Sequence, residues 1–301
     1  GDMMAFIQYA MHIMMSLVMM SMIFVMLPRA AVSAGRINEV LEVKPQIVDP
    51  VKPVTINTSP EQKRGVVEFK DVTFTYPGAE APVLADISFK AEPGQVTAII
   101  GGTGSGKSTL LNLIPRFYDA NSGSVTVDGV DVRSLTQRDL RQRIGYVPQK
   151  AVLFSGTIAS NIGAGKSGAT LAELRDAAET AQALDFILEK EGAFEAEISQ
   201  GGTNVSGGQK QRLAIARAVV RQPDIYILDD TFSALDYKTD AKLRQALAKT
   251  AKDKTVIIVA QRVSTILHAD QILVLDSGRI VGKGTHQELL ESCQVYQEIV
   301  A

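Results

Sequence analysis

Nine consecutive residues restrict the fold more than any other part of this 301-residue chain: Gly101-Gly102-Thr103-Gly104-Ser105-Gly106-Lys107-Ser108-Thr109. The apolar run Val96-Thr97-Ala98-Ile99-Ile100 precedes them, and Leu110-Leu111-Asn112-Leu113-Ile114 follows as an apolar helical start. Strand, glycine loop and helix in that order turn the pattern G-x-x-x-x-G-K-[ST] from a string match into a mechanism for holding phosphates. Glycines let backbone N–H groups turn inward with no Cβ in the way. The helix beginning near Lys107 adds its positive end to the same spot. Lys107 is expected to reach the β- and γ-phosphates of a nucleoside triphosphate, and the Ser108 hydroxyl to sit on Mg²⁺. A plain glycine-rich turn is the alternative, and the flanking strand and helix argue against it.

Charge narrows the partners. The 33 acidic and 31 basic residues nearly cancel, so no strong electrostatic footprint for nucleic acid is present beyond what a local patch could supply, and no nucleic acid is expected as a partner. The single cysteine, Cys293, excludes an intramolecular disulfide and fits a reducing, cytosol-facing compartment for the soluble part. All nine methionines lie between Met3 and Met26, which marks a boundary between two kinds of solvent.

Met3 to Leu27 is a run of 25 residues without a charge. At ~1.5 Å per residue it extends roughly 37 Å as a helix, more than the ~30 Å hydrocarbon core. A secretory signal would have a shorter apolar core and a basic flank before it. Here Asp2 precedes the run and Arg29 and Arg36 follow it, so a transmembrane helix with its C-terminal end in the cytoplasm is expected, in contact with membrane lipid. Gln8, His12, Ser16 and Ser21 interrupt the apolar surface and would face a helix bundle. After Pro28, the spacing of Val32, Ile37, Val40 and Leu41 predicts a helical extension over Ala30–Val43. Pro45, Pro50, Pro53 and Pro60 then make residues 44–64 read as an extended linker.

The soluble domain is expected over 65–301. Val66–Phe69 and Val72–Tyr76 look like edge strands before a Pro77-Gly78 turn, with a further strand over Val83–Phe89. Ser124–Val127 and Ile144–Val147 follow as strands, and helical patterns cover about Leu171–Leu188 and Gly207–Arg221. Ile225–Leu228, Thr255–Val259 and Gln271–Leu275 are short β-rich runs separated by helices at Lys238–Thr250 and Ser264–Leu267. The fold class is therefore α/β, a parallel core with an antiparallel β part at its start.

Two more constellations carry chemistry. Ile225-Tyr226-Ile227-Leu228 is an apolar strand ending in Asp229 and Asp230. Beside a phosphate loop, Asp229 is placed to bind the Mg²⁺ held by Ser108, and Asp230 to position or deprotonate the attacking water. Ser206-Gly207-Gly208-Gln209 opens an Ala- and Arg-rich helix, either as an ordinary serine N-cap or as a second anion site. One chain has no need of two triphosphate cradles unless the second closes on a nucleotide held by a partner.

Together these motifs resemble the C-terminal half of an ATP-binding cassette (ABC) exporter subunit, a last transmembrane helix plus a P-loop NTPase nucleotide-binding domain, over essentially all 301 residues. The resemblance implies ATP and Mg²⁺ as cofactors, with Gly101–Ser108 as the Walker A loop and Asp229 as the Walker B magnesium ligand. Tyr76 would stack on adenine. Gln149 would sense Mg²⁺ and the membrane domain, Ser206–Gln209 would be the signature motif contacting the γ-phosphate across a dimer, and Ser233–Asp236 the D-loop. Glu197, in the segment before Gly201-Gly202, matches the acidic residue of a short loop that touches the membrane domain, although its neighbours depart from the usual pattern. About five more helices would lie upstream, carrying most contacts to a transported substrate that this sequence does not name.

Two positions depart from the family. Asp230 stands where the catalytic residue is normally Glu, and Gln261 where the switch residue is usually His. Asp is one methylene shorter and retreats by about 1.5 Å, and a misplacement near 1 Å costs ~100-fold in rate. Gln donates a hydrogen bond but carries no charge and shuttles no proton. The signature Ser-Gly-Gly-Gln is kept, with Val205 in place of the usual Leu. This asymmetry suggests the degenerate-Walker subunit of a heterodimeric exporter, with a homodimer as the alternative. A regulatory module that binds ATP with negligible turnover is the other functional reading. A soluble ABC protein of translation or DNA repair is disfavoured by the methionine-rich helix.

Overall fold

Parallel strands buried on both faces read as unbroken apolar runs, and those at Val96, Ile225, Thr255 and Gln271 become the centre of the molecule. The computed structural model describes residues 1–56 and 64–300. Its main sheet contains β3 (Val96–Gly101), β6 (Ile144–Val147), β9 (Ile225–Asp229), β10 (Thr255–Val259), β11 (Gln271–Asp276) and β12 (Arg279–Gly284). The order is β12-β11-β3-β10-β9-β6, parallel except where β12 pairs with β11. A second, antiparallel sheet is ordered β2-β1-β4-β5, from β1 (Val67–Phe74), β2 (Leu84–Ala91), β4 (Ser122–Val127) and β5 (Val130–Asp131). The short strands β7 (Gly156–Thr157) and β8 (Glu197–Ile198) pair with each other.

Alternation along the main sheet divides the interior in two. Ile99, Ile225, Ile227, Ile257 and Val259 face a core shared with the antiparallel sheet and with α2 (Lys107–Leu113). Ala98, Ile100, Tyr226, Leu228, Val256 and Ile258 face the opposite core. There they meet α4 (Ile158–Gly163), α5 (Leu171–Thr180), α6 (Leu184–Leu188), α7 (Gly207–Val219) and α8 (Tyr237–Thr250). The helix α3 (Gln137–Gln142) precedes β6, and α9 (His286–Ser292) and α10 (Gln294–Val300) close the chain.

The remaining helix, α1, runs from Asp2 to Glu42 through Pro28 and forms a compact unit of its own, Gly1–Val48. It is long and apolar enough to cross a membrane, and every one of its residues is exposed. Proline removes one backbone donor, yet the extension expected after Pro28 continues the same helix.

Three elements differ from the sequence expectation. The two edge strands over Val66–Tyr76 are one strand, β1, and it is central because β2 and β4 pair on either side. The gap between the runs is a register shift around Asp71, whose φ is 48°, so the chain kinks without leaving the sheet. Tyr76 falls just beyond the end of β1. The helical pattern over Leu171–Leu188 breaks at Gln182, φ 55°, giving α5 and α6. The helix expected at Ser264–Leu267 is a single 3₁₀ turn over Val263–Thr265. Within the span read as a linker, Asp49 accepts hydrogen bonds from the Gln137 N–H (2.8 Å) and side-chain amide (3.2 Å), and Ile56 is buried. Residues 57–63 of that span, Pro60 and Glu61 among them, lie outside the described residues.

Candidate functional site

In open α/β sheets ligands collect at the carboxyl ends of the strands. Four neighbouring strands, β3, β10, β9 and β6, all run parallel, so their C-terminal loops emerge at one edge. Register then sets the level of each side chain. Val259 lies opposite both Ile99 and Asp229, and Val147 opposite Leu228. One or two residues further on, Gly101, Asp230, Gln261 and Gln149 are brought together from four separate stretches of sequence.

The loop after β3 has the geometry of an anion cradle. Gly101 tolerates no side chain, since a Cβ would sit 2.0 Å from the Leu275 carbonyl oxygen and 2.8 Å from Ser105 Oγ. Gly104, at φ 82°, has nothing within 4 Å of the Cβ position, so its backbone is open to a ligand. Among the described residues the N–H groups of Gly104 and Gly106 meet no protein acceptor. The Lys107 ammonium donates to the carbonyls of Gly101 (2.8 Å) and Gly102 (2.6 Å), which holds it over the loop. Burial pushes the Lys107 pKa down, against the opposing pull of Asp229 and Asp230.

Asp229 ends β9, with the Ser108 hydroxyl near enough to its carboxylate to favour the charged form. Burial raises its pKa first of all, the Ser108 hydroxyl and Lys107 work the other way, and nearby Asp230 adds to the rise. A carboxylate whose charge is poorly solvated gains most from a cation. A hydroxyl and a carboxylate this near each other are a fitting pair for Mg²⁺, which takes only one or two protein ligands and leaves the rest to phosphate and water. No group of three or more His, Cys, Asp or Glu suited to a metal ion occurs among the described residues, in keeping with so sparse a donor set. Asp229→Asn is expected to remove the Mg²⁺ dependence of ATP binding, seen as superimposed titrations with and without the ion.

Asp230 is 7% exposed, with φ at 45°. Its Oδ2 accepts from Gln261 Nε2 at 2.7 Å and from Gln149 Nε2 at 3.2 Å. Its carbonyl accepts from the Ser233 hydroxyl at 2.9 Å, which ties the turn to the segment beyond. That segment ends at Asp236, which caps α8 by accepting from the Thr239 N–H at 3.0 Å. Sequence reasoning missed Asn112, whose side-chain oxygen receives the Tyr146 hydroxyl at 3.2 Å under the loop. Burial and Asp229 push Tyr146 up to about 12, so it stays protonated and serves as a donor.

Tyr76 is half-buried rather than free at a strand edge. Its hydroxyl and that of Thr109 are 3.0 Å apart, and its ring meets Phe74 and Tyr118 edge-on at 4.9 and 5.2 Å. Ser206, on the exposed N-terminus of α7, accepts from the Gln209 N–H at 3.2 Å, while Gln209 Oε1 receives the Ser206 N–H at 3.0 Å. This reciprocal capping box also opens α4, α5 and α9, so the serine is an N-cap in its own right. Ser206→Ala is expected to cost about 1 kcal/mol in denaturant unfolding, and Ser206→Thr to keep most of it. Glu197 is exposed on β8, its carbonyl held by Asn204 Nδ2 at 2.7 Å.

With this geometry in place, the likenesses are specific. The family model described as ABC transporter matches residues 84–233. An uncharacterized ABC transporter ATP-binding protein of Mycobacterium tuberculosis is 47% identical over 304 residues, covering 100% of this chain and 51% of the relative. A beta-(1→2)glucan export ATP-binding/permease protein of Rhodopseudomonas palustris is 46% identical over 260 residues, 85% of this chain and 42% of its own length. The chain thus spans about half the length of the curated relatives it matches. A solved structure of a bacterial Atm1-family ABC exporter with ATP bound superposes with a TM-score of 0.84 at 36% identity, covering 90% of this chain and 47% of that one.

Proposed function

This chain belongs to the ABC transporter family through its nucleotide-binding domain, and from that premise we propose that it binds ATP and Mg²⁺ to power export across a membrane. The nucleotide-binding domain would lie in the cytoplasm, and α1 would span the membrane. The observation that carries the reading is the convergence of Lys107, Ser108, Asp229 and Asp230 on one open cradle at the sheet edge.

In this reading the loop N–H groups and Lys107 bind and orient the phosphates, and Tyr76, once turned from Tyr118, stacks on adenine. Ser108 and Asp229 hold the Mg²⁺, which would neutralise charge on the phosphate oxygens. Asp230 would orient the attacking water, assisted by Gln149 and Gln261. Here its carboxylate is short and bound by two amides that cannot take up a proton, which supports a slow site. Ser206 accepts a hydrogen bond through its capping box but keeps its hydroxyl hydrogen, so it remains able to donate to a phosphate on a second subunit. With Gly207, Gly208 and Gln209 it would complete the partner's site, and Asp236 would lie at the interface. The partner is then a second ABC half-transporter, in a heterodimer whose faster chemistry occurs on the partner's nucleotide. Coupling to the membrane domain through Glu197 belongs to the same proposal.

The test is phosphate release by the full-length subunit, alone and with its partner. Little release alone and brisk release in the pair, lost on Ser206→Arg but not on Asp230→Asn, is the expected outcome. Brisk turnover by the chain alone would refute the degenerate-site reading, while tight ATP binding with no release even in the pair would favour a purely regulatory module.

A further inference from the structure

Beneath the Asp230 carboxylate lies a cavity of about 10 Å³, lined among others by Asp230, Asp240, Gln261, Arg262 and Thr265. Asp240 belongs to the first turn of α8 and is 3% exposed. One of its oxygens, Oδ2, accepts from Arg244 at 2.9 Å. The other, Oδ1, is buried and has no hydrogen-bond partner among the described residues. A buried acceptor without a donor is costly, so this side chain gains from any donor that can reach it.

A donor stands at the same cavity. The Arg262 side chain is exposed and makes no ion pair or hydrogen bond among the described residues, although its guanidinium offers five N–H groups. Its backbone is extended (φ −104°, ψ 125°) and leads into one 3₁₀ turn rather than a helix, so the segment turns without unwinding an α-helix. Gln261 now points to Asp230 at 2.7 Å. Gln261 and Arg262 line the same cavity as Asp230 and Asp240, so a rearrangement of this turn that takes Gln261 off Asp230 also shifts Arg262 beside Asp240.

We propose that Asp240 is a positioning residue for the switch segment: when Gln261 leaves Asp230 for the γ-phosphate, Arg262 closes on Asp240 Oδ1 and holds the segment there. The inference rests on the reading of Gly101–Thr109 as an ATP site. It assigns to α8, which follows directly on Asp236, a means of sensing whether the third phosphate is present.

The test measures, on the full-length chain with Mg²⁺, the dissociation constants of ADP and of a non-hydrolysable ATP analogue. Arg262→Gln is expected to weaken the analogue about tenfold and leave ADP unchanged, with Arg262→Lys retaining most of the wild-type ratio. Asp240→Asn should match Arg262→Gln, and the double variant should be no worse than either single one. Loss of ADP affinity together with analogue affinity would indicate a merely structural role and overturn the proposal, as would an unchanged ratio in Arg262→Gln or additive effects in the pair. If Asp240→Asn does not fold, the surface variant Arg262→Gln decides alone. A wild-type chain that binds neither nucleotide overturns the ATP-site reading itself, an outcome distinct from all of these, and the proposal with it.

Discussion

Lys107→Ala is expected to lower ATP affinity by about 100-fold or more while the domain stays folded. In the structure the ammonium donates to two loop carbonyls, those of Gly101 and Gly102, and burial already disfavours its charge. A triphosphate would replace these carbonyls with anionic oxygens, and each hydrogen bond between charged partners contributes about 1.5–3 kcal/mol. Two such bonds, discounted for the partial exposure of the site, correspond to roughly 3 kcal/mol, or about two orders of magnitude in affinity. Stability should change little, because the Gly102 carbonyl is at the surface and rehydrates once the lysine is gone. Nucleotide titration by calorimetry beside a thermal melt separates the two effects. Unchanged affinity would mean that the phosphates bind elsewhere.

Asp230→Glu carries the largest expected gain. The added methylene moves the carboxylate forward by about 1.5 Å, out of its present bonds to Gln149 and Gln261 and toward the place of an attacking water. Turnover at this site is expected to rise about 10- to 100-fold, the range associated with a displacement near 1 Å. Adding Gln261→His should raise it again, by restoring a side chain able to carry charge. Phosphate release by the full-length subunit in which the partner's own site has been silenced gives the measurement. If Asp230→Glu hydrolyses ATP no faster, the missing methylene does not limit the rate.

Much of the fold was open to a reader of the sequence because parallel strands announce themselves. Ile144–Val147 and Thr255–Val259 have the bounds that their apolar runs predict. The α7 start at Gly207 follows its serine cap as the capping rules require. The antiparallel part was harder. A kink at Asp71 splits one strand into two apparent ones, and nothing local tells a central strand from an edge. At the site, the phosphate loop and the pair Asp229-Asp230 were legible from residue type and spacing. Asp240 was not, since an acidic residue in the first turn of a helix is ordinarily a solvated one.

By itself, then, the sequence determined the elements that rest on local interactions: the glycine loop between strand and helix, the apolar strands, the helix caps, and an uncharged run long enough to span a bilayer. Only the tertiary structure decided which of them meet. The order β12-β11-β3-β10-β9-β6 and its register bring Gln149, Asp230 and Gln261 together across more than a hundred residues of chain. The reason is that side-chain type is a property of one position. Hydrogen-bond distance and burial belong to the packing of several strands at once, and they set whether Asp230 is free or held and whether Asp240 is solvated or buried.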